Sequence, residues 1–264
     1  MAYELIVFLF FLCGFASGLI GGLLGIGGGI ITVPVLFFLF RFTALLPDQL
    51  MQVAISTSLA TTFVTAAVST ALQMRKKAVH FPIIKFLIPG LAIGCIAGSL
   101  IAHLLPSVYL REFFGGMAIL LGSYYFFPRL PLPHFGSSPN MSLSFFGLVI
   151  GALSSLLGIG GGTFTVPILI GYNVPMRNAV ATSSGSTLAT AFIGTITYLI
   201  IAWHKPELPE TFGYIEIPAF IAISIGSIFS TPLGVKLSHT LDTEWIKRIF
   251  AGCLILTGFF MILI

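Results

Sequence analysis

The chain has 264 residues, 57% of them hydrophobic and only 8% charged, with a mean hydropathy of +1.08. Soluble domains carry about 25% Asp, Glu, Lys and Arg, so this composition excludes a water-soluble globular domain and requires apolar surface that faces lipid. The net charge of +4 is small and scattered, which leaves no basic surface for nucleic acid.

The first element is the apolar run from Leu5 to Leu24. It has no basic n-region and its pattern recurs later in the chain, so it reads as a retained membrane segment rather than a signal peptide. The run breaks at Gly25-Ile26-Gly27-Gly28-Gly29. Each glycine in a helix costs about 1 kcal/mol relative to Ala, so this stretch does not hold one. A short arm leading through Thr32-Val33-Pro34 follows. Full membrane helices are then predicted at 44–73, 82–104 and 109–127. Pro128 to Asn140 is rich in Pro, Gly and Ser and reads as an extramembrane linker. A second opening run is broken at Gly158-Ile159-Gly160-Gly161-Gly162, and its returning arm, Thr163 to Tyr172, is about 15 Å long as a helix, too short to cross. Further full helices are predicted at 178–203, 214–236 and 245–264.

These elements form a duplication. Gly18 through Leu36 matches Gly151 through Leu169, Ala54 to Ser58 matches Ala179 to Ser183, and His103, Arg111, Phe114 and Gly122 match His239, Lys247, Phe250 and Gly258. Three blocks in the same order divide the chain into a first membrane repeat (1–128), a linker (129–141) and a second membrane repeat (142–264). If each broken segment returns to the side it entered, each repeat makes three net crossings and the two are inverted. Arg75, Lys76, Lys77, Lys85, Arg129, Arg177, Lys236, Lys247 and Arg248 then share one side, against Arg41, Arg111 and Lys205 on the other. That bias is what the positive-inside rule expects. The expected fold is therefore an all-α polytopic membrane protein of two inverted repeats. Each repeat has a glycine-broken re-entrant or hairpin helix plus three full transmembrane helices, and both termini lie outside.

The doubled glycine break is the leading functional candidate. A helix restarting after a bend presents amides without intrahelical partners, which attract anions without a cationic side chain. Broken helices of this kind lie at mid-membrane in inverted-repeat transporters. The upstream glycines Gly14, Gly18 and Gly22 read instead as helix-packing residues. Ser58, Thr62, Thr65 and Ser69 share one helical face, and Thr182, Ser183, Ser186, Thr187 and Thr190 repeat the pattern. Hydroxyls of this kind either donate to an oxyanion or bond back to their own helix. The histidines His80, His103, His134, His204 and His239 fall at segment ends without metal-ligand spacing, and Cys13, Cys95 and Cys253 read as apolar fillers. No carboxylate within a span stands out as a proton carrier.

Paired glycine-rich segments followed by Val-Pro, each with a downstream Ala-x-x-Thr-Ser, resemble the sulfite exporter TauE/SafE family of prokaryotic membrane transporters. Lys77-Ala78-Val79-His80-Phe81 and Thr231-Pro232-Leu233-Gly234 extend the resemblance over nearly the whole chain. It implies a multi-pass protein of the prokaryotic cell (inner) membrane that moves small sulfur oxyanions or organosulfonates such as sulfite, thiosulfate or sulfoacetate. The implied substrate-binding positions are Gly25, Gly27, Gly28, Gly29, Thr57, Ser58, Gly158, Gly160, Gly161, Gly162, Thr182 and Ser183. Ser56 and Ala181 stand where the family often has Gly before Thr-Ser. The expected partners are a small anion and the lipid bilayer, with a homodimer open and no nucleic acid, metal or cofactor. An anion channel with the same donors is the alternative. An intramembrane serine enzyme ranks below both, because Ser183, Ser184 and Ser186 have no histidine in mid-span to act as base.

Overall fold

A computed structural model describes residues 2–41, 49–127, 140–203, 211–240 and 243–263. The described residues form ten α-helices and one two-stranded hairpin. In chain order the helices are α1 (Ala2–Leu24), α2 (Gly29–Phe40), α3 (Leu50–Arg75), α4 (Phe81–Leu104), α5 (Ser107–Phe126), α6 (Asn140–Leu157), α7 (Gly162–Gly171) and α8 (Met176–Ala202). The strands β1 (Thr211–Phe212) and β2 (Ile215–Glu216) precede α9 (Ile217–Leu237) and α10 (Thr243–Leu263). Helices α1, α3, α4, α8 and α9 are long and apolar enough to cross a membrane, which makes this an integral membrane protein. The linker 129–141 lies outside the described residues up to position 139, as do His134, His204 and the start predicted for the third helix at 44.

Both broken segments are helix pairs joined at glycine. In the first, Phe10 of α1 and Phe40 of α2 stack edge to face at 6.1 Å, closing the open end. In the second, the Ser142 and Tyr172 hydroxyls are 2.8 Å apart and tie α6 to α7 in the same way. The expected helix at 214–236 differs at its start. Gly213 adopts φ +62°, and Thr211–Phe212 pairs antiparallel with Ile215–Glu216 before α9 begins. Proline at the first turn of α9 fixes that beginning.

Small residues set the helix pairing. Gly14, Gly18 and Gly22 of α1 meet Ile223, Ser227 and Thr231 of α9 so closely that an added Cβ would overlap the α9 backbone or Ser230. The numbers rise together, so α1 and α9 run parallel. Gly90 and Gly94 of α4 meet Ser144 and Leu148 of α6 in the same rising order. Without a hydrophobic driving force inside a membrane, such close backbone approach supplies the packing that associates helices. The contacts fall in descending order between α3 and α8, where Phe63 stacks on Phe192 and Thr70 bonds Ser184 at 3.3 Å. They also descend between α5 and α10, where Gly115 meets Ile262 and Gly122 meets Ile255. Both of these pairs are antiparallel. Helices α3 and α8 form the centre: residues 50–62 and 179–187 are buried on every side.

Candidate functional site: two interlocked glycine breaks

The central helices place their hydroxyls against the glycine breaks, Ser58, Ser183 and Thr187 crosswise and Thr62 within its own half. Ser58 Oγ on α3 donates to the Gly158 carbonyl of the second break at 2.8 Å. Ser183 on α8, its counterpart in the duplication, lies 3.1 Å from the Gly25 carbonyl of the first break, with its own helix carbonyl at Val180 at 2.8 Å. Thr62 Oγ1 donates to Gly27 O at 3.2 Å and Thr187 Oγ1 to Gly25 O at 3.3 Å. All four hydroxyls are buried. Thr62 and Thr187 stand near the middle of their helices, so the breaks sit deep in the protein.

The breaks also touch each other. A Cβ at Gly29 would overlap the Gly158 carbonyl, and one at Gly162 would overlap that of Gly25. The methyl groups of Thr62 and Thr187 converge on Gly27 and Gly160, leaving no room for a side chain at either. Helix α2 thus starts against the second break and α7 against the first. At each start the threonine of Thr-Val-Pro turns back on the glycine before the helix: Thr32 Oγ1 to Gly28 O at 3.2 Å and Thr165 Oγ1 to Gly161 O at 2.8 Å. The first amides of each short helix have no intrahelical carbonyl to reach, and their partial positive charge is held at mid-depth.

Of the sequence-predicted positions, Gly25, Gly27, Gly28, Gly29, Ser58, Gly158, Gly160, Gly161, Gly162 and Ser183 meet in or beside this cluster. Thr57 and Thr182 do not. Thr57 Oγ1 accepts the Glu216 amide at 3.0 Å, and Thr182 Oγ1 accepts the His80 amide at 3.0 Å. Each Thr-Ser pair therefore splits its work: the serine faces a break, and the threonine fixes the residue before a long helix of the other half.

The two ends of the molecule differ in charge. At the end where α3 finishes and α8 begins, Lys76 lies beside Arg177, and its ammonium bonds the Val235 carbonyl at 3.4 Å. Burial and then the Arg177 charge hold the Lys76 pKa below the ordinary lysine value. His239 is bonded through Nε2 to Gln73 at 3.1 Å. Its pKa is lowered first by burial, then by Lys76 and Arg177. Beside Arg177 opens a cavity of about 170 Å³ lined by Leu23, Leu24, Met176, Arg177, Val180 and Ser238. Its floor is close to the first break, because the Val180 carbonyl would overlap a Cβ on Gly25. A larger cavity of about 270 Å³ between α5, α6 and α7 is walled by Leu120, Phe146, Ile150, Phe164 and Ile168, a lining suited to hydrocarbon rather than an anion.

Arg177 and the hairpin residues Tyr214 and Glu216 were not singled out by sequence reasoning as site residues. The signal for Arg177 was its place at the start of the hydroxyl-rich helix, two residues before the buried stretch. For Glu216 it was the Pro218 that follows, which marks a helix start and so a capping position.

Comparison with known proteins places this architecture. The family described as sulfite exporter TauE/SafE matches residues 10–261. A probable membrane transporter protein of Methanocaldococcus jannaschii is 29% identical over 264 residues, covering 99% of this chain and 97% of the relative. One of Haemophilus influenzae is 28% identical, covering 97% of this chain and 98% of the relative. The probable membrane transporter protein YunE of Bacillus subtilis is 28% identical, covering 98% and 96%. No solved structure matches the chain. The family match takes in both glycine breaks and nearly the whole chain, and the chain belongs to the sulfite exporter TauE/SafE family.

Proposed function

We propose that the protein is a secondary transporter of a small anion, a sulfur oxyanion or organosulfonate of the sulfite, thiosulfate or sulfoacetate type. The observation that carries this is the meeting of two glycine breaks from different halves. The starts of α2 and α7 and the hydroxyls of Ser58 and Ser183 lie in one buried cluster beside a cavity edged by Arg177. Backbone amides at helix starts bind tetrahedral oxyanions without a buried cation. The basic end supplies the electrostatic attraction that brings an anion in.

The two repeats are inverted in the membrane of a prokaryotic cell. The antiparallel pairs α3/α8 and α5/α10, formed by equivalent helices of the two halves, support this reading. So does α1: it parallels α9, and the tie between Phe10 and Phe40 sends α2 back toward the side where α1 began. The basic end faces the cytoplasm. Alternating access follows from rocking one half against the other, which slides each break along the hydroxyl helix of the opposite half. The carrier is favoured over a channel because loops held by Thr57 and Thr182 close over both ends of the central helices.

The test is uptake of labelled sulfite, thiosulfate, short sulfonates and short carboxylates by proteoliposomes holding the purified protein, with and without a proton gradient. Saturable uptake selective for sulfur oxyanions or sulfonates is expected. Selective uptake of carboxylates would replace the substrate class, and uptake that never saturates would replace the carrier with a channel.

A further inference from the structure

Thr57 and Thr182 hold equivalent loops, yet the two loops end in different chemistry. The first-half loop ends at His80, which is exposed at the basic end, and its imidazole makes no cap to α4. The second-half loop ends at Glu216, which is only 7% exposed, and its carboxylate caps α9 by accepting the Ala219 amide. The anchor is thus built once without any acid, so it does not need one.

The depth of Glu216 is also unusual for a cap. Its amide is bonded to Thr57, seven residues into α3 and so about 10 Å below the start of that helix. The hairpin carrying it plugs this end. Tyr214 is 1% exposed, its hydroxyl is 3.0 Å from His103 Nδ1, and its ring packs on the buried Tyr198. The next residue on α3, Ser58, holds the Gly158 carbonyl of the second break. A single turn of α3 therefore joins the Glu216 loop to the candidate anion site.

We propose that Glu216 is the positioning residue that couples anion movement to proton movement. Ionised, the carboxylate suits the partial positive charge at the start of α9 and keeps the hairpin seated on Thr57. Protonated, it loses that attraction, and the Thr211–Glu216 hairpin is freed to leave the mouth. The step forms or breaks one bond, the carboxyl O–H, with the proton drawn from or returned to water at whichever end is open. The titratable and charged groups of the surrounding elements are Tyr214 beside it, His103 on α4, Tyr198 on α8, Tyr109, Arg111 and Glu112 in the first turns of α5, and the exposed Glu4 at the start of α1. On α9 the first charged residue is Lys236, at the far end, and the part of α3 around Thr57 carries none. His204, Lys205, Glu207 and Glu210 precede the hairpin, outside the described residues. Buried carboxylates in membrane proteins mark proton paths.

This inference rests on the transporter reading, and the experiment separates the two. The full chain is reconstituted and labelled thiosulfate, whose charge is constant near neutral pH, is followed in two assays. One is accumulation driven by a proton gradient; the other is exchange against unlabelled thiosulfate at equal pH. For the wild type both are expected. Glu216→Gln is expected to lose accumulation above equilibrium and keep exchange, whereas loss of a cap alone lowers both together. Glu216→Asp restores accumulation with a shifted pH midpoint. Gradient-driven accumulation by Glu216→Gln equal to wild type overturns the proposal, as does a parallel fall in both assays. If Glu216→Gln does not reach the membrane, an unchanged pH midpoint in Glu216→Asp overturns it. No thiosulfate flux by the wild type in either assay overturns thiosulfate transport, and this inference with it.

Discussion

The two glycine breaks have nearly the same sequence and quite different backbones. In the first, Gly25, Gly27 and Gly28 all have positive φ, at +70°, +79° and +80°. In the second only Gly158 does, at +67°, while Gly161 sits at φ −53°, an ordinary right-handed value. The second break is held by the Ile159 amide on the Ser154 carbonyl at 3.0 Å, where the first has the Gly25 amide on that of Gly21 at 2.9 Å, and by Ser58 from the opposite half. The first is held from α8 by Ser183 and Thr187 on the Gly25 carbonyl and from α3 by Thr62 on that of Gly27. The first therefore depends on glycine for its conformation. In the second, Gly160 and Gly161 depend more on the space around them. One motif meets two demands, and it is the neighbouring helices that decide which.

The largest effect that would break this comparison is at Gly28 against Gly161. A Cβ at Gly28 would overlap the Ser17 carbonyl of α1, a backbone atom that cannot yield without opening the hairpin. The left-handed backbone adds about 1–2 kcal/mol for a residue with a side chain. At Gly161 the nearest atoms are the Thr190 hydroxyl at 2.7 Å and an Ile150 methyl at 3.2 Å, side-chain rather than backbone atoms. Gly28→Ala should lower the yield of monodisperse protein in detergent severely. Gly161→Ala should be recovered in nearly wild-type amount. Equal losses would show that both breaks are governed by space alone.

A smaller contrast lies at the two serines. Ser58→Ala leaves the buried Gly158 carbonyl without its 2.8 Å donor, at a cost of about 1–3 kcal/mol. Ser183→Ala takes away a hydroxyl that is closest to its own helix at Val180, and Thr187 still reaches Gly25. Ser58→Ala should therefore reduce the thermal unfolding temperature by several degrees and Ser183→Ala by clearly less. A reversed order would mean that the Ser183 bond to Gly25, not the Ser58 bond to Gly158, is the stronger pin between the halves.

Much of this was legible in the sequence. Helix positions followed from apolar runs and their breaks: 82–104 was expected against Phe81–Leu104 observed, and 178–203 against Met176–Ala202. The upstream glycines were legible as packing residues because Gly14, Gly18 and Gly22 recur every fourth residue, on one helical face. The crosswise pairing of Ser58 with Gly158 was not, since nothing local in a chain says which half a hydroxyl will face. The division of labour within Thr57-Ser58 was equally hidden. Adjacent helical residues point about 100° apart, and which one meets the break depends on the rotation of α3 in the bundle. Glu216 fell inside the helix expected at 214–236, and its place at a buried hairpin was hidden because its burial comes from Tyr214 and the hairpin folding inward. Two-residue strands leave almost no periodic signal.

The smallest expected effect sharpens the comparison from the side of charge, because the 170 Å³ basic cavity abuts the first break. His239 has its pKa below the ordinary value of 6.5, held there by burial and by Lys76 and Arg177. Without an anion it is therefore neutral at pH 7, and charging it as pH falls adds a third positive group to the cluster. An anion in the cavity offsets that repulsion and so raises the His239 pKa. Linkage then requires that anion affinity at this end increase as pH falls through the depressed pKa and approach a plateau below it. Fluorescence or calorimetric titration of the detergent-solubilised protein with thiosulfate over a pH series should show this rise, and His239→Gln should flatten it. Arg177→Gln removes one source of the depression, so the rise should begin at higher pH even though the affinity at neutral pH is lower. A pH dependence unmoved by either substitution would detach the basic cavity from the anion's path and leave the first break to be reached from elsewhere.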